Sequence, residues 1–542
     1  MAEPAFSAIQ PVLQSSSEQP IARAPTGVTA FIGRALKGPL HQPVLLAGYP
    51  EYQRVFGGLW QASPLSYAVE QFFENGGRTA LVVRVANGAR APSLTLPGPD
   101  GPLRLAGLAP GSREYLRASV DYDGIAPDDL TRFNLVIQRV GGLGSERIEE
   151  QEIYRRVSTR VESGRHVFDV LADSRLVRVV TPVPAVRPSI PPSLGHGARI
   201  GYVGANNDGD DGLPLTDYDL IGSAAEARGL FALQSAPLFN LLCIPPLDRD
   251  RDVGASTLLV AARFCRERQA MLVVDPPASW SSPTAALDGA RAWPFRADNA
   301  LMFFPRIVAM DRLRGRYETF AACGAVAGML ARSDESAPTW RPLERDEVLL
   351  RPSLRPVVPV DESDRLRLLQ LGVNTLSATR LAARSPGMAR TLATGNSVAT
   401  DWRYLGARRL AQFIVSSVEQ GTRWVAFGRN GPDTWLRVRG QVDAFLQSLD
   451  QEGAFGGTDG YEGYFVICDE RLNGPLAQVE GRINLLFGFA ASRPGQFHAY
   501  LVTHRSGGSR VRAVSVNRFA TAGLRVDEEI ESTLLRGLAV AG

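Results

Sequence analysis

Three apolar runs near the middle of the chain constrain its fold most, because each is long enough for a strand and none alternates with polar residues. They are LFNLLCIPP from residue 238, AMLVVDPP from residue 270 and NALMFFPRIV from residue 299. Strands without alternation are buried on both faces, as in parallel sheets covered by helices. ASTLLVAARFCRER, between the first two runs, has the length and pattern of a connecting helix. The centre of the chain is therefore predicted to be an α/β domain with right-handed crossovers.

Shorter segments around this centre divide the rest of the chain. Strand-like runs such as TALVVRV and an apolar helical pattern assign the segment before residue 88 to the same core. The next segment has short apolar runs separated by Gly, Pro and Asp, which indicates a β-rich insertion. The predicted division is an arm at 1–25, the first part of the core at 26–87, the inserted domain at 88–197, the central domain at 198–360, a C-terminal domain at 361–505 and an extra tail at 506–542.

Composition excludes several functional classes. The chain has 59 basic and 56 acidic residues, and a net charge of +3 over 542 residues is too small to attract nucleic acid. No apolar run reaches the roughly 18 residues that span a bilayer. The first residues lack the basic and apolar regions of a signal peptide. The four cysteines show no C-x-x-C spacing, so we expect buried thiols in a chain made in a reducing compartment.

Motifs for catalysis or cofactor binding are not found in the sequence. The single lysine, Lys37, argues against a G-x-x-x-x-G-K-[ST] phosphate loop, and no G-x-S-x-G motif occurs. His498 and His504 share a face of one predicted strand, as a metal pair or as two unrelated imidazoles. NNDGDDG at 206–212 fits no register of a calcium loop and predicts a turn. Asp275 ends a predicted parallel strand, where α/β enzymes place carboxylates, but no base accompanies it. We predict no cofactor, no metal and no enzymatic activity.

Several segments spread along the chain carry a joint signal. TGVTAFIGRALKGPLHQPVLLAGYPEYQRVFGG and SYAVEQFFENGGRTALVVRV come first, followed by NDGDDGLPLTDYDLIG. GAVAGMLARSD, LLQLGVNTL, ARTLATGNSVATDWRYLGARRLAQFI and GYFVICD come later. In this order they resemble the contractile tail sheath proteins of phages and of phage-tail-like injection particles, over about residues 26–505. The chain departs from the family at AFSAIQPVLQ, where a Pro-Gly-Val-Tyr-Val-Glu-Glu strand is usual, and in the extra tail.

The resemblance implies a multidomain α/β and α+β chain. Its parts would be a subtilisin-like α/β core, a β-rich inserted domain, a C-terminal α+β sheath domain, and extended N- and C-terminal arms. Such a subunit polymerises helically around an inner tube and contracts to drive the tube through a target envelope. The implied partners are copies of the chain, the inner tube, baseplate and tail-terminator proteins, and a candidate AAA+ ATPase for disassembly. No nucleic acid and no membrane insertion are implied. The chain would be made in the bacterial cytoplasm and assembled into a phage tail or phage-tail-like particle.

The resemblance also implies roles for particular residues. In the family, terminal arms add strands to a neighbour's sheet, which supplies main-chain hydrogen bonds at an exposed edge. A helix of the C-terminal region, here near residues 401–420, faces the inner tube through complementary charge. The predicted donor-strand residues are Phe6, Ala8, Ile9, Val12, Phe497, Ala499, Tyr500, Leu501 and Val502, and the predicted tube contacts are Arg408 and Arg409.

Two other functions stay open from the sequence. An α/β hydrolase or nucleotide-binding enzyme with a β-rich insertion would need a convergent polar site near Asp275 and the NNDGDDG segment. An adhesin or carbohydrate-binding module could be built on the insertion at 88–197, and it could coexist with a sheath role.

Overall fold

The structure, a computed structural model, describes residues 20–514 except 143, 193–200, 205–208, 342, 344–348, 378–387, 395–399, 457–462 and 494–495, and also the backbone of 516–519 and 523–526. The chain forms two compact units. The large unit comprises Gly27–Ala337 and Leu343–Thr394. The C-terminal unit comprises Gly395–Gly542 together with Met1–Thr26 and Pro338–Pro342. None of the described helices is long and apolar enough to cross a membrane.

The large unit contains most of the strands. In chain order they are β1 (Thr29–Gly33), β2 (Val44–Leu46), β3 (Ala80–Arg84), β4 (Ser93–Leu96), β5 (Leu103–Gly107), β6 (Tyr115–Asp121), β7 (Arg132–Val140), β8 (Ile148–Ser158), β9 (Val177–Val180), β10 (Val203–Gly204), β11 (Leu241–Cys243), β12 (Met271–Val274), β13 (Ala300–Phe304), β14 (Ile307–Asp311), β15 (Arg316–Phe320), β16 (Arg355–Pro356) and β17 (Val373–Thr375). Its helices are α1 (Tyr49–Phe56), α2 (Pro64–Glu74), α3 (Val167–Val170), α4 (Asp217–Ile221), α5 (Ala255–Glu267), α6 (Pro283–Ala292), α7 (Cys323–Ser336) and α8 (Glu362–Gln370).

A seven-stranded sheet in the order β17-β13-β12-β11-β1-β3-β2 forms the core of the large unit. All neighbouring strands are parallel except β2, which pairs antiparallel with β3 at one edge. Strands β11, β12 and β13 are buried along their whole length. They are the three apolar runs of the sequence, so the predicted parallel sheet is confirmed.

Helices α2 and α7 of the large unit pack closely against each other. The Ser63 hydroxyl accepts a hydrogen bond from Ser66 N at 3.2 Å, and Pro64 occupies the first helical turn, which together begin α2. Gly324 and Gly328 of α7 lie directly against the backbone of α2, where an added Cβ would overlap the Ala68 carbonyl. These two glycines allow the close approach of the helices.

The predicted β-rich insertion consists of two antiparallel sheets. One has the order β10-β6-β7-β8 and the other β4-β5-β9. Their facing apolar side chains, such as Leu105, Leu135 and Val177, share one core. Strand β10 pairs with β6 although it follows the predicted end of the insertion at residue 197. A third small sheet, β15-β14-β16, is a hairpin with one added strand.

The C-terminal unit combines helices with an antiparallel sheet. Its helices are α9 (Leu405–Gly421), α10 (Pro432–Gln451) and α11 (Pro475–Val479), and its strands are β18 (Tyr464–Ile467), β19 (Ile483–Phe489), β20 (His498–Arg505), β21 (Gly508–Val514), β22 (Val516–Phe519) and β23 (Gly523–Val526). Strands β18 to β21 form one sheet in sequence order, and β22 pairs with β23. Apolar residues of α9, α10 and the sheet share one core, which includes Ile414, Val442 and Phe487.

Two predicted boundaries differ from the structure. The C-terminal domain was expected to begin at residue 361, but α8 and β17 belong to the large unit, where β17 pairs with β13. The segment after residue 505 was expected to be an added tail, but β21 completes the C-terminal sheet by pairing with β20. Both errors concern elements whose place depends on a distant strand rather than on their own sequence.

Candidate functional site

Residues 20–26, which we call the strap, pack along helix α9 of the C-terminal unit. Ala24 N donates a hydrogen bond to the Ser417 hydroxyl at 3.0 Å. Arg409 Nη2 donates to the carbonyl oxygen of Thr26 at 3.3 Å. As the chain runs back from Thr26 to Ala24, its contacts move from the first turns of α9 towards its end. The strap therefore runs antiparallel to the helix.

The far end of the strap is held by an apolar contact. Ile21 is buried in the core of the C-terminal unit and lies against Gly421, the last residue of α9. A Cβ added at Gly421 would be 2.8 Å from Ile21 Cγ2, so the glycine leaves room for this side chain. Arg23 forms an ion pair with Glu452 at the surface. The described part of the chain consequently begins beside the C-terminal end of α9.

The two predicted tube-contacting arginines lie inside the C-terminal unit. Arg408 and Arg409 are each 6% exposed. The Arg408 guanidinium lies 5.2 Å from the Trp402 ring, and Arg409 bonds to the strap. Almost all of α9 is buried as well. Within the chain alone, the neighbouring aromatic ring and the strap cover these two residues, and their contact with an inner tube stays a prediction.

Helix α10 has one side exposed to solvent, whereas almost all of α9 is buried. Trp435, Val438 and the later apolar residues of its stripe face the core. Leu436, Gly440 and Ala444 follow one another on the opposite side at helical spacing and are exposed. Arg437 and Arg439 are exposed beside them, and so are Asp433 and Asp443, so this face combines small or apolar residues with charges of both signs.

The predicted C-terminal donor strand is an inner strand of its own sheet. Strand β20 is hydrogen-bonded to β19 on one edge and to β21 on the other. In the single chain this strand therefore has no free edge, and its exchange between copies stays a prediction. The residues concerned are Phe497, Ala499, Tyr500, Leu501 and Val502, of which the last four are buried. The predicted N-terminal donor residues, Phe6, Ala8, Ile9 and Val12, lie outside the described residues.

The edges of this sheet are β18 and β21, and they differ in charge. β21 carries Arg510 and Arg512, and charged side chains on an edge strand oppose pairing with another strand. β18 reads Tyr-Phe-Val-Ile and carries no charge. By the same reasoning β18 opposes pairing with another strand less than β21 does.

The surroundings of Asp275 do not form an active site. Its Oδ1 accepts hydrogen bonds from Ala322 N at 2.7 Å and Cys323 N at 2.8 Å, so it caps the start of α7. Burial raises the pKa of Asp275 and raises the pKa of the Cys323 thiol well above its usual value. A thiol held in its neutral form is a poor nucleophile. The space beside Asp275 measures about 20 Å³, which admits one water molecule but no substrate.

The two histidines of strand β20 have separate partners. His498 Nε2 lies 2.9 Å from Asp401 Oδ2. His504 lies 2.8 Å from the Thr422 hydroxyl through Nε2, and burial lowers the pKa of His504 to about 4. The part of the chain that the structure describes holds no group of three or more His, Cys, Asp or Glu residues arranged to bind a metal ion. Each imidazole is accounted for by its own hydrogen bonds.

A larger cavity of about 740 Å³ lies where the insertion meets the core of the large unit. Its walls combine Arg139, Arg175 and Arg178 with Glu150 and Asp173. Arg139 is already paired with Glu150 at 2.6 Å. No aromatic side chain lines it, whereas small-molecule sites are mostly apolar and aromatic. This cavity gives little support to the carbohydrate-binding alternative.

Comparison with solved structures identifies the fold. The sheath tail protein Lin1278 from Listeria innocua superimposes with a TM-score of 0.57 at 13% identity, covering 91% of this chain and 98% of that one. The PVC sheath complex of an extracellular contractile injection system, in its contracted state, gives a TM-score of 0.51 at 14% identity, covering 91% and 96%. This chain has the tail-sheath fold. Its sequence matches no protein-family model, and it matches no curated protein. The tail-sheath fold was nevertheless implied by the order of its motifs.

Proposed function

We propose that this chain is the structural subunit of a contractile sheath, which polymerises helically around an inner tube and contracts to drive the tube through a target envelope. The observation that carries the proposal is the extent of the fold: the match spans 91% of this chain and 98% of a sheath tail protein. A chance likeness of one α/β domain would not extend through the insertion and the C-terminal unit as well. In this proposal the core of the large unit corresponds to the subtilisin-like domain of sheath proteins.

The C-terminal unit supports a role in linking subunits, because both ends of the described chain belong to it. The strap leads to the N-terminal segment, and β21 leads to β22 and β23. We propose that residues 1–19 of one copy add a strand to the uncharged edge β18 of the next copy. Such a heterologous contact does not close on itself, so repetition generates a helix. Subunit bodies can then repack during contraction while their linkers stay paired.

The inner tube is proposed to contact α10 rather than α9. The exposed side of α10 carries Arg437 and Arg439 beside Gly440, where an added Cβ would meet nothing within 4 Å. A protein surface could approach this helix closely if it placed carboxylates opposite the arginines and basic groups opposite Asp433 and Asp443, which are exposed on the same side. Baseplate and tail-terminator proteins, and an AAA+ ATPase for disassembly, complete the proposed set of partners. The chain is proposed to be made in the bacterial cytoplasm.

A structural role without catalysis is proposed as well. Contraction by repacking needs no nucleotide, and the enzyme alternative depended on a polar site near Asp275. That carboxylate is buried and bonded to two backbone amides of α7.

Electron microscopy of the purified protein tests the function. Hollow tubes, or striated sleeves around a co-expressed inner tube, should form without any cofactor. Deletion of residues 1–19 should abolish them and leave a folded monomer, because Ile21 and the rest of the strap remain in place. The matched control is replacement of residues 15–19 by glycine and serine of equal length, which should preserve assembly. Sheaths of normal length from the deletion would contradict the linking role, and failure of the full chain to form any sheath would contradict the proposed function.

A further inference from the structure

The large unit contains two domains with separate hydrophobic cores. The sheet domain comprises residues 27–86, 214–337 and 343–394, the insertion comprises 93–204, and residues 87–92 and 209–213 connect them and are called the neck. Among the described residues, the core of the insertion, which includes Leu135, shares no member with the core of the sheet domain, which includes Leu242. Domains of one chain move relative to each other unless a large hydrophobic interface holds them. The position of the insertion therefore depends on the neck and on polar contacts.

The neck is narrow and closely bonded. Arg90 N donates a hydrogen bond to the carbonyl oxygen of Asp210 at 3.0 Å, and Asp210 N donates to that of Arg90 at 2.9 Å. Ser112 of the insertion donates to the Asp211 carboxylate from its backbone N at 2.9 Å and from its hydroxyl at 2.6 Å. Hinges consist of a few loop residues that absorb a change in backbone angles, so a neck of this kind is suited to act as a pivot.

Away from the neck, the cavity of about 740 Å³ lies between the two domains. Pro39, Leu40 and Gln42 line it from the sheet domain, and Arg139 and Arg178 are among the residues that line it from the insertion. Side chains that face a gap lack the contacts that close packing would provide. Apolar packing therefore does not fix the insertion across this cavity.

An ion pair joins the two domains beside the cavity. Lys37 Nζ of the sheet domain lies 2.6 Å from Glu149 Oε2 of the insertion, and the nearby residues Pro39 and Glu150 line the cavity. Lys37 is the one lysine in the sequence. The two side chains are 15% and 23% exposed, so salt weakens their attraction. A partly exposed pair contributes little free energy, and it can therefore open without unfolding either domain.

We infer that Lys37 and Glu149 form a latch that holds the insertion in one position, and that the insertion pivots about the neck when this latch opens. Both domains keep their folds during the motion, because their hydrophobic cores are separate. The motion widens or narrows the cavity between them. This inference goes beyond the proposed function, since it concerns a conformational change of the single chain.

Distance measurement by pulsed electron paramagnetic resonance in the full chain tests the latch. Nitroxide labels are attached to Gln42→Cys and Asp173→Cys, which replace exposed residues that line the cavity from opposite domains. The four native cysteines are buried, so the labels react with the two new thiols. We expect one narrow distribution of distances between the labels. Lys37→Met, which removes the charge and keeps most of the side chain, should widen that distribution at least twofold.

Two further variants separate the latch from a general loss of charge. The exchange Lys37→Glu with Glu149→Lys should restore the narrow distribution. The matched control is Arg263→Met, which breaks the ion pair of Arg263 with Glu267 within α5 and should leave the distribution unchanged. Hydrogen exchange in β6, β7 and β11 to β13 should be the same in every variant. If Lys37→Met raises that exchange, Glu149→Gln takes its place, since it opens the same latch.

Salt provides a second readout on the same labelled chains. About 1 M salt should widen the distribution in the chain with Lys37 and have little further effect in Lys37→Met, because the latch is already open there. A distribution that latch variants leave narrow would overturn the inference, and so would equal widening by Arg263→Met or equal salt effects in both chains. The measurement uses unassembled chains, so its outcome is independent of whether a sheath forms.

Discussion

The two units of this chain differ in their sheet edges and in their buried ionisable groups. The seven-stranded sheet of the large unit ends in β2 and β17, which have three residues each. The sheet of the C-terminal unit ends in the uncharged β18 and the longer, charged β21. Short edges discourage pairing between molecules, whereas an uncharged edge invites it. β2 and β17 are uncharged as well, so among these four edges β21 stands apart, because it is the longest and the one that carries charged side chains.

The buried ionisable groups extend the comparison. In the C-terminal unit, burial lowers the pKa of His504 to about 4. In the large unit, burial raises the pKa of Glu70 to about 7, against the opposing charge of Arg312. Both groups favour their neutral form, but one loses a proton to become neutral and the other gains one. Through these two groups, acid should weaken the C-terminal unit and stabilise the large unit.

The largest predicted effect tests whether the units unfold independently. Phe487 is fully buried in the C-terminal core, with its ring centroid 5.9 Å from that of Tyr500. Phe487→Ala should lower the free energy of unfolding of this unit by about 4 kcal/mol, since it removes apolar contacts and leaves a cavity. Hydrogen exchange should rise in β19 and β20 and stay unchanged in β11 to β13. The matched control is Phe304→Ala in the large unit, which should show the reverse pattern. Equal changes in both units would show that they do not unfold independently.

A smaller effect is expected from His504. Its pKa is about 6.5 when unfolded and about 4 when folded, so the unfolded state takes up the proton first as the pH falls. The stability that the neutral imidazole contributes is present above pH 6.5 and is lost as the pH falls towards 4. At about 1.4 kcal/mol per pH unit the total loss is about 3 kcal/mol.

Urea unfolding at pH 7.5, 6 and 5, followed by hydrogen exchange in β20, measures this loss. His504→Gln should remove most of the pH dependence while keeping a hydrogen-bonding group near Thr422. An unchanged pH profile in that variant would show that another group is responsible.

The smallest effect is expected from Glu70, and it has the opposite sign. The folded state holds its proton up to about pH 7, whereas the unfolded state loses it near 4.5. The cost of the buried carboxylate is absent below pH 4.5, grows between pH 4.5 and about 7, and is constant above that. Arg312, which lies 3.2 Å from Glu70, is largely exposed and reduces the effect only in part.

Glu70→Gln should therefore stabilise the large unit by about 2 kcal/mol at pH 8 and change little at pH 4.5. Thermal unfolding at the two pH values measures the difference. Glu51→Gln, on the neighbouring helix α1, serves as a control for the loss of one negative charge. Destabilisation by Glu70→Gln at pH 8 would mean that its ion pair outweighs its burial.

The sequence predicted most where local pattern decides the structure. Strands β11, β12 and β13 were recognisable because burial on both faces leaves no polar residue in the run. The apolar stripe of α10 likewise marks its buried side. The order of motifs along the chain implied the tail-sheath fold, although no single segment is distinctive.

Where distant contacts decide the structure, the local sequence pattern does not predict it. FHAYLVTHR alternates as an edge strand would, but whether β20 is an edge depends on β21, whose Gly- and Arg-rich sequence resembles a tail. Arg408 and Arg409 look like surface residues in the sequence. Arg409 is covered because a strap from more than 380 positions earlier in the chain lies on it, as the Arg409–Thr26 separation of 383 shows, and Arg408 lies against Trp402. No local signal marks such a contact.

The strap also decides how the molecule carries mechanical load. A pull on the N-terminal segment reaches Ile21 and Ala24 before it reaches residue 27, where the large unit begins. Since the strap lies along α9, the force acts in shear on several contacts together instead of peeling them apart one by one. In the proposed sheath, tension between neighbouring copies would thus stay within the C-terminal unit. In that sheath, a protein fused into a loop of the insertion should move with the assembly and bear none of this tension.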